Sequence, residues 1–180
     1  QIRACHFGLG AANAFGLDAI WTLSQPGGVH QGDRHASKGD LFAAVVSLSI
    51  QTMFDHLAPV PEGLGLGQRL QAVGEALIEG MLHPRCVAFM RITAAEADNF
   101  PNLALMAYQV SFDGSVSYVL KGLGAANLDA ADPGLITLAQ RFVEVAVQPL
   151  SFQAAFGVDV ALLRLRASQC AHDAVELLQE

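Results

Sequence analysis

Histidine and cysteine are the residues of this 180-residue chain with the most specific chemistry, because both bind metal ions. No two of the six histidines have the i, i+4 spacing that places two ligands on one helix face. The cysteines, Cys5, Cys86 and Cys170, form no CxxC pair and are odd in number, which fits a reducing compartment. The sequence therefore predicts no metal site, no other cofactor and no disulfide framework.

Motifs for phosphate binding or hydrolysis are weak. The sequence Gly-Leu-Gly-Ala-Ala-Asn occurs at 8–13 and again at 122–127. Neither copy follows an apolar β-run, and neither carries the third glycine of a dinucleotide-binding loop. No Gly-x-Ser-x-Gly elbow and no Ser-His-Asp order stands out. No enzymatic activity is expected from these motifs.

Methionine and aromatic residues are concentrated between residues 81 and 118. They either fill a core or line a ligand pocket, because methionine and phenylalanine adapt to apolar ligands of varied shape. Such pockets use only a few polar contacts, for which Arg91 is one candidate. The pocket interpretation predicts ligand contacts from Phe89, Met90, Thr93, Met106, Tyr108, Gln109 and Phe112.

Helices are the elements expected to position these side chains, and the predicted fold class is all-α. Asp132-Pro133 is typical of an N-cap followed by proline at the first helical position. In residues 109–118 polar and apolar side chains alternate as they do in a strand. A helix there must include Gly114, which destabilises a helix by about 1 kcal/mol relative to alanine. The flanking helices nevertheless favour a helix. Apolar periodicity and helix breakers predict helices over 40–57, 66–82, 85–99, 102–123, 133–149 and 157–178.

The composition is rich in core-forming residues, with 52% hydrophobic and 15% charged. No 18-residue window is free of charged and helix-breaking residues, so we expect no membrane-spanning helix; no secretory signal is visible, and a cytoplasmic location is expected. Such a chain either lines an apolar cavity or buries surface in a second subunit. The predicted homodimer contacts are Leu135, Leu138, Phe142, Val145, Leu162 and Leu165.

The charge is distributed unevenly along the chain. Residues 1–42 carry three basic and three acidic side chains, so the formal net charge of −7 lies entirely in residues 43–180. Nucleic-acid binders usually present a basic face. The neutral balance of the first segment therefore counts against strong DNA binding.

Residues 36–46 resemble the segment of TetR-family transcriptional regulators in which the helix-turn-helix ends and the fourth helix begins. In this segment Ser37 can cap a helix, and Asp40 lies in its first turn, where the helix dipole favours an acid. Residues 28–33 resemble the turn into the family's recognition helix, and the following Arg-His pair resembles the end of that helix. Residues 91–104 resemble the C-terminal domain of the AefR-like branch, which also has the Asp-Pro helix start.

This resemblance implies a helix-turn-helix DNA-binding domain over 1–42 and a ligand-binding and dimerisation domain over 43–180. It implies a regulator, with repression as the expected mode, that binds operator DNA as a homodimer and is released by a small apolar effector. Ser37 and Lys38 would contact backbone phosphate. The residues that it implies on or near the DNA-reading surface are Val29, His30, Gln31, Asp33, Arg34 and His35.

The segment between Ile20 and Ala36 departs from the family pattern. Pro26-Gly27-Gly28 would stop a helix, and the family's aromatic residues around Arg34-His35 are missing. A one-nucleotide shift over residues 21–26 would restore a normal second helix, which sequencing of the source DNA tests. The alternative function is therefore a dimeric small-molecule-binding protein that keeps the fold and has lost DNA binding.

Overall fold

The computed structural model describes residues 38–52, 54–125, 128 and 131–178, and all regular secondary structure in these residues is helical. This confirms the predicted all-α fold. No helix of the described residues is long and apolar enough to span a bilayer. The helices are α1 (Lys38–Thr52), α2 (Leu66–Met81), α3 (Pro84–Ala95), α4 (Pro101–Gly122), α5 (Pro133–Phe142), α6 (Gln148–Ala155), α7 (Val160–Arg164) and α8 (Ala167–Leu177), with a π-helical turn, Val143–Val147, between α5 and α6.

Proline and side-chain caps determine where helices begin. The carboxylate of Asp132 accepts a hydrogen bond from the Gly134 N–H at 2.7 Å, and Pro133 is the first residue of α5. This confirms the predicted helix start. His83 caps α3 in the same way, since its Nδ1 accepts a hydrogen bond from the Arg85 N–H at 3.3 Å. Both caps satisfy backbone donors that the first helical turn leaves unpaired.

The segment with the strand-like pattern, 109–118, lies within α4, as predicted. Two of its serines donate hydrogen bonds within the helix: Ser111 to the carbonyl of Ala107 at 2.7 Å and Ser115 to the carbonyl of Ser111 at 2.9 Å. Gly114 lies inside the helix and allows a close contact with a neighbouring side chain, because a Cβ at this position would overlap the ring of Phe54. The glycine therefore allows the residues after α1 to pack closely against α4.

The chain after residue 142 differs from the predicted pattern. Pro149 was expected to end a helix, but it lies in the first turn of α6, directly after the π turn. A wider turn leaves room for a residue without an N–H and with a bulky ring. The predicted helix over 157–178 is also wrong, because a turn at Leu165 and Arg166 separates α7 from α8. Neither proline nor glycine marks that break in the sequence.

The main core is built around α2, which packs against α8, α4 and the π turn. Gly74 marks the closest approach: a Cβ there would lie 2.8 Å from the Cβ of Ala171 on α8 and 2.9 Å from the ring of Phe142 on α5. Both distances are shorter than ordinary van der Waals contact. The missing side chain therefore sets how closely three helices meet.

We expect Gly74→Ala to lower the free energy of unfolding by about 1–3 kcal/mol, the usual cost of overpacking a core. In an open helix the same change would stabilise by about 0.5–1 kcal/mol. Urea denaturation at fixed protein concentration measures the difference. Gly65→Ala is the matched control, because a Cβ there meets only the Gln68 side chain at 3.9 Å. Equal stability of the two variants would contradict this account of the core.

Candidate functional site

A groove of about 630 Å³ lies between α1, the segment that follows it, the end of α2 and α3. This volume is in the range of small-molecule sites, and most of the lining is apolar. The residues that line it are Val45, Leu48 and Ser49 of α1, His56 and Ala58 of the connection, Ala76, Glu79 and Gly80 at the end of α2, the cap residue His83, and Arg85, Cys86, Ala88, Phe89 and Ile92 of α3.

Helices α1 and α3 run antiparallel along the groove, because the start of α1 lies beside the end of α3 and the end of α1 lies beside the start of α3. At the start of α1, the Lys38 ammonium lies 2.8 Å from a carboxylate oxygen of Glu96, just after the end of α3. Beyond the end of α1, the ring of His56 lies 5.9 Å, centre to centre, from the ring of His83, which caps the start of α3. The groove thus has an end near the two histidines and an end toward the ion pair.

A small apolar cluster holds α1 against the rest of the protein. Phe42 and Val46 of α1 pack with Phe89 of α3 and Ala107 of α4, and all four are buried. The ring of Phe42 also lies 5.3 Å from that of Phe100. Because Phe89 belongs to this cluster and lines the groove, a molecule in the groove touches the contacts that position α1.

The connection after α1 is held to the main core. The hydroxyl of Tyr118 on α4 donates a hydrogen bond to the carbonyl of Ala58, which lines the groove. Burial raises the pKa of Tyr118, so the phenol stays protonated and keeps this donor at neutral pH. The groove wall that carries His56 is therefore fixed by a bond from the core.

Polar groups of the groove do not form a metal centre. Among the described residues, no three His, Cys, Asp or Glu side chains are arranged to hold a metal ion. Burial raises the pKa of the Cys86 thiol, which disfavours the thiolate needed for metal binding or nucleophilic attack. The Glu79 carboxylate is paired with Arg164, through contacts of 2.8 and 3.0 Å to the two carboxylate oxygens.

The structure brings one predicted ligand residue, Phe89, to the groove. Met106 packs beside the Phe89 cluster, whereas Met90 and Phe112 pack against the main core. Helical periodicity predicts which side chains share a face of a helix, but not which neighbouring helix that face contacts. Residues predicted to line one pocket therefore lie in different parts of the structure. The remaining predicted ligand residues lie elsewhere: Thr93, whose Oγ1 is buried without a hydrogen-bond partner in the described part of the chain, and Tyr108 and Gln109, which are exposed on α4.

Arg91, the further polar candidate, has a structural role. Its guanidinium donates to the carbonyls of Ala154 and Ala155, at 2.7 and 2.9 Å, and so caps the end of α6. The residues that the sequence analysis did not select as ligand contacts include His56 and His83. Their positions at chain breaks, one before Leu-Ala-Pro and one before proline, were the available signal.

Among the predicted DNA contacts, Lys38 lies in the described part of the chain, whereas Val29, His30, Gln31, Asp33, Arg34, His35 and Ser37 lie outside it. The hydrogen bond from Lys38, followed by that from Asn99, lowers the pKa of Glu96 below its ordinary value of 4.5. The pair with Lys38 is thus fully formed at neutral pH and is lost as the pH falls through that lowered pKa. The predicted domain boundary after residue 42 falls inside α1.

The predicted interface residues differ in exposure. Phe142 is 0% exposed, and its ring packs in the core beside Gly74, so it is not available to a partner in this structure. Leu135 and Leu138 are half-buried. The exposed apolar side chains between the π turn and the residue after α7, here called the apolar face, include Val145, Phe152, Phe156, Leu162 and Leu165.

Comparison with known proteins gives a family match over the C-terminal part of the chain. The family model for the C-terminal domain of AefR-like transcriptional repressors matches residues 68–179, more than half of the chain. No curated protein and no solved structure matches the sequence. The matched range contains all of α3 to α8, including the residues of α3 that line the groove, whereas α1 precedes it.

Proposed function

Because this chain belongs to the TetR-family transcriptional regulators with an AefR-like C-terminal domain, we propose that it is a ligand-responsive DNA switch. In this proposal a homodimer binds operator DNA, with repression as its mode, and a small apolar effector in the groove releases it. The observation that carries the proposal is the position of the groove against α1. That helix, Lys38–Thr52, follows the predicted DNA-reading residues and lines the groove, so it connects the proposed DNA-binding segment to the proposed effector site.

The proposed mechanism is a shift between two positions of α1. An effector in the groove contacts Val45 and Leu48 on α1 and Ile92 on α3, so it favours one spacing of these helices. A ligand shifts such an equilibrium only by its difference in affinity for the two states. In a dimer, a small movement of α1 would change the separation of the two reading heads, which must match half-sites about 34 Å apart.

Fluorescence anisotropy with DNA from upstream of the protein's own gene, across a salt series, tests the regulator function. We expect specific binding that weakens steeply with salt, because each phosphate contact contributes about −0.9 to the log–log slope. DNA of random sequence and equal length is the control. Equal affinity for both DNAs would contradict a specific regulator.

The alternative is a dimeric small-molecule-binding protein without DNA function. Two observations favour it: residues 1–42 have no net charge, and Lys38 is paired with Glu96. The same anisotropy series distinguishes the proposals. A folded dimer that binds a small molecule but has no measurable affinity for DNA would support the alternative.

The Lys38–Glu96 pair yields a sharper test of the DNA contact. In the proposed complex, Lys38 cannot bind phosphate while it is held by Glu96, so we expect Glu96→Gln to raise operator affinity severalfold. The slope of the salt dependence should stay the same, because Lys38 contacts a phosphate in both complexes. Glu62→Gln in the exposed connection removes the same charge and is the control. Equal effects of both variants would exclude a specific role for this pair.

The apolar face supports the dimer in the proposal. Phe156 is 77% exposed and Leu165 is 81% exposed, although both are large apolar side chains. The rings of Phe152 and Phe156 lie 4.6 Å apart, so they form a joint apolar surface. Exposed apolar surface of this kind is a common mark of subunit contacts.

Phe156→Asp is expected to convert the dimer to a monomer, because it places an unpaired charge in an apolar interface. Sedimentation velocity measures the change, and circular dichroism checks that the helices are retained. Leu66→Asp is the matched control, since Leu66 is also exposed but lies in the first turn of α2, outside the apolar face. A Phe156→Asp variant that still sediments as a dimer would refute this interface.

A further inference from the structure

The two ends of the groove differ in chemistry. His56, His83 and Arg85 lie at the end where α3 begins, as the contact between the two imidazole rings shows. Phe89 and Ile92 line the groove farther along α3. Ile92 is seven residues after Arg85, a distance of about 10 Å at the helical rise of 1.5 Å per residue. The groove is thus polar at one end and apolar over the following length.

The polar end offers donors and positive charge. In the described part of the chain, Arg85 makes no ion pair, and its guanidinium has no side-chain or backbone acceptor. Because His83 Nδ1 accepts the Arg85 backbone N–H, the neutral ring carries its proton on Nε2, which is a further donor. His56 contributes a second imidazole.

The charge at this end favours an anion with a single negative charge. Glu79 is the acidic side chain of the lining, and its carboxylate is already paired with Arg164. Arg85 is the permanent cation of the lining, so the groove holds one unmatched positive charge. A nucleotide or another polyanion would bring more charge than this end can balance, and a wholly apolar ligand would make no contact with the exposed guanidinium of Arg85.

We infer that the effector is amphipathic, with a carboxylate or a similar monoanionic head bound by Arg85, His83 and His56. Its apolar body lies along Phe89 and Ile92 and against the α1 side chains Val45 and Leu48. This inference rests on the proposed function, in which it replaces the simply apolar effector by one with an apolar body and an anionic head. The head fixes the ligand at the α2–α3 turn, and the body reaches the helix that is proposed to move.

Calorimetric titration of the full-length protein with decanoate and with decanol, below the micelle-forming concentration, tests the inference. We expect decanoate to bind more tightly than decanol. Arg85→Gln should weaken decanoate binding by about tenfold or more, the effect of losing a hydrogen bond between charged groups, and leave decanol binding unchanged. Lys121→Gln removes the same charge from an exposed position outside the groove and should change neither affinity.

His83→Asn provides a second variant that keeps the fold. Asparagine is also a good N-cap, so it can replace the cap of α3 while it removes the imidazole. We expect weaker decanoate binding and an unchanged unfolding midpoint. Equal binding of decanoate and decanol to the wild-type protein, no binding of either, or equal effects of Arg85→Gln and Lys121→Gln would each overturn the amphipathic-anion inference.

The failure of this inference can be distinguished from failure of the regulator function. Operator release is measured separately, by anisotropy of labelled DNA with each probe. Release by decanol but not by decanoate would overturn the anionic head and leave the regulator function intact. Arg85-dependent binding of decanoate to a protein that has no specific DNA affinity would support the inferred ligand class and contradict the regulator.

Discussion

The close approach of three helices at Gly74 is the constraint on which the rest of the structure depends. With no side chain at this position, α2 meets Ala171 of α8 and Phe142 of α5 at distances that a Cβ would not permit. This packing fixes α2, and with it the turn at His83 that begins α3. One wall of the groove is therefore part of the main core, and local motion in that wall would have to disturb the best-packed region of the protein.

The opposite wall has a different kind of support. Helix α1 joins the body through the small cluster around Phe42, Val46 and Phe89, and through an exposed ion pair at its start. Exposed ion pairs contribute little to stability, and a small cluster buries less apolar surface than the main core. A groove between a firmly packed wall and a weakly attached helix is suited to couple ligand binding to helix position. The structure therefore offers a physical basis for a switch without a hinge inside the main core.

The sequence predicted the helices well where local chemistry decides them. Asp132-Pro133 and the prolines at the starts of α3 and α4 mark helix starts through rules that act within one turn. The π turn that accommodates Pro149 and the unmarked break at Leu165 could not be predicted, because apolar spacing alone does not show how a helix packs along its length. The groove was also missed for this reason. The apolar character of Phe89 and Tyr108 is similar, yet α4 turns Tyr108 outward while α3 directs Phe89 toward α1.

Helix α1 connects the two proposed binding events through its opposite ends. Its start carries Lys38, paired with Glu96, and the connection after its end carries His56, beside His83. If an effector lowers the affinity for DNA by moving α1, then DNA must lower the affinity for the effector by the same factor, because the coupling free energy is shared. The DNA-bound position of α1 would then be the one in which Lys38 has exchanged Glu96 for phosphate. In the proposed switch, the ion pair at one end of the groove and the ligand at the other would both oppose the contact between Lys38 and phosphate, because both act on the position of α1.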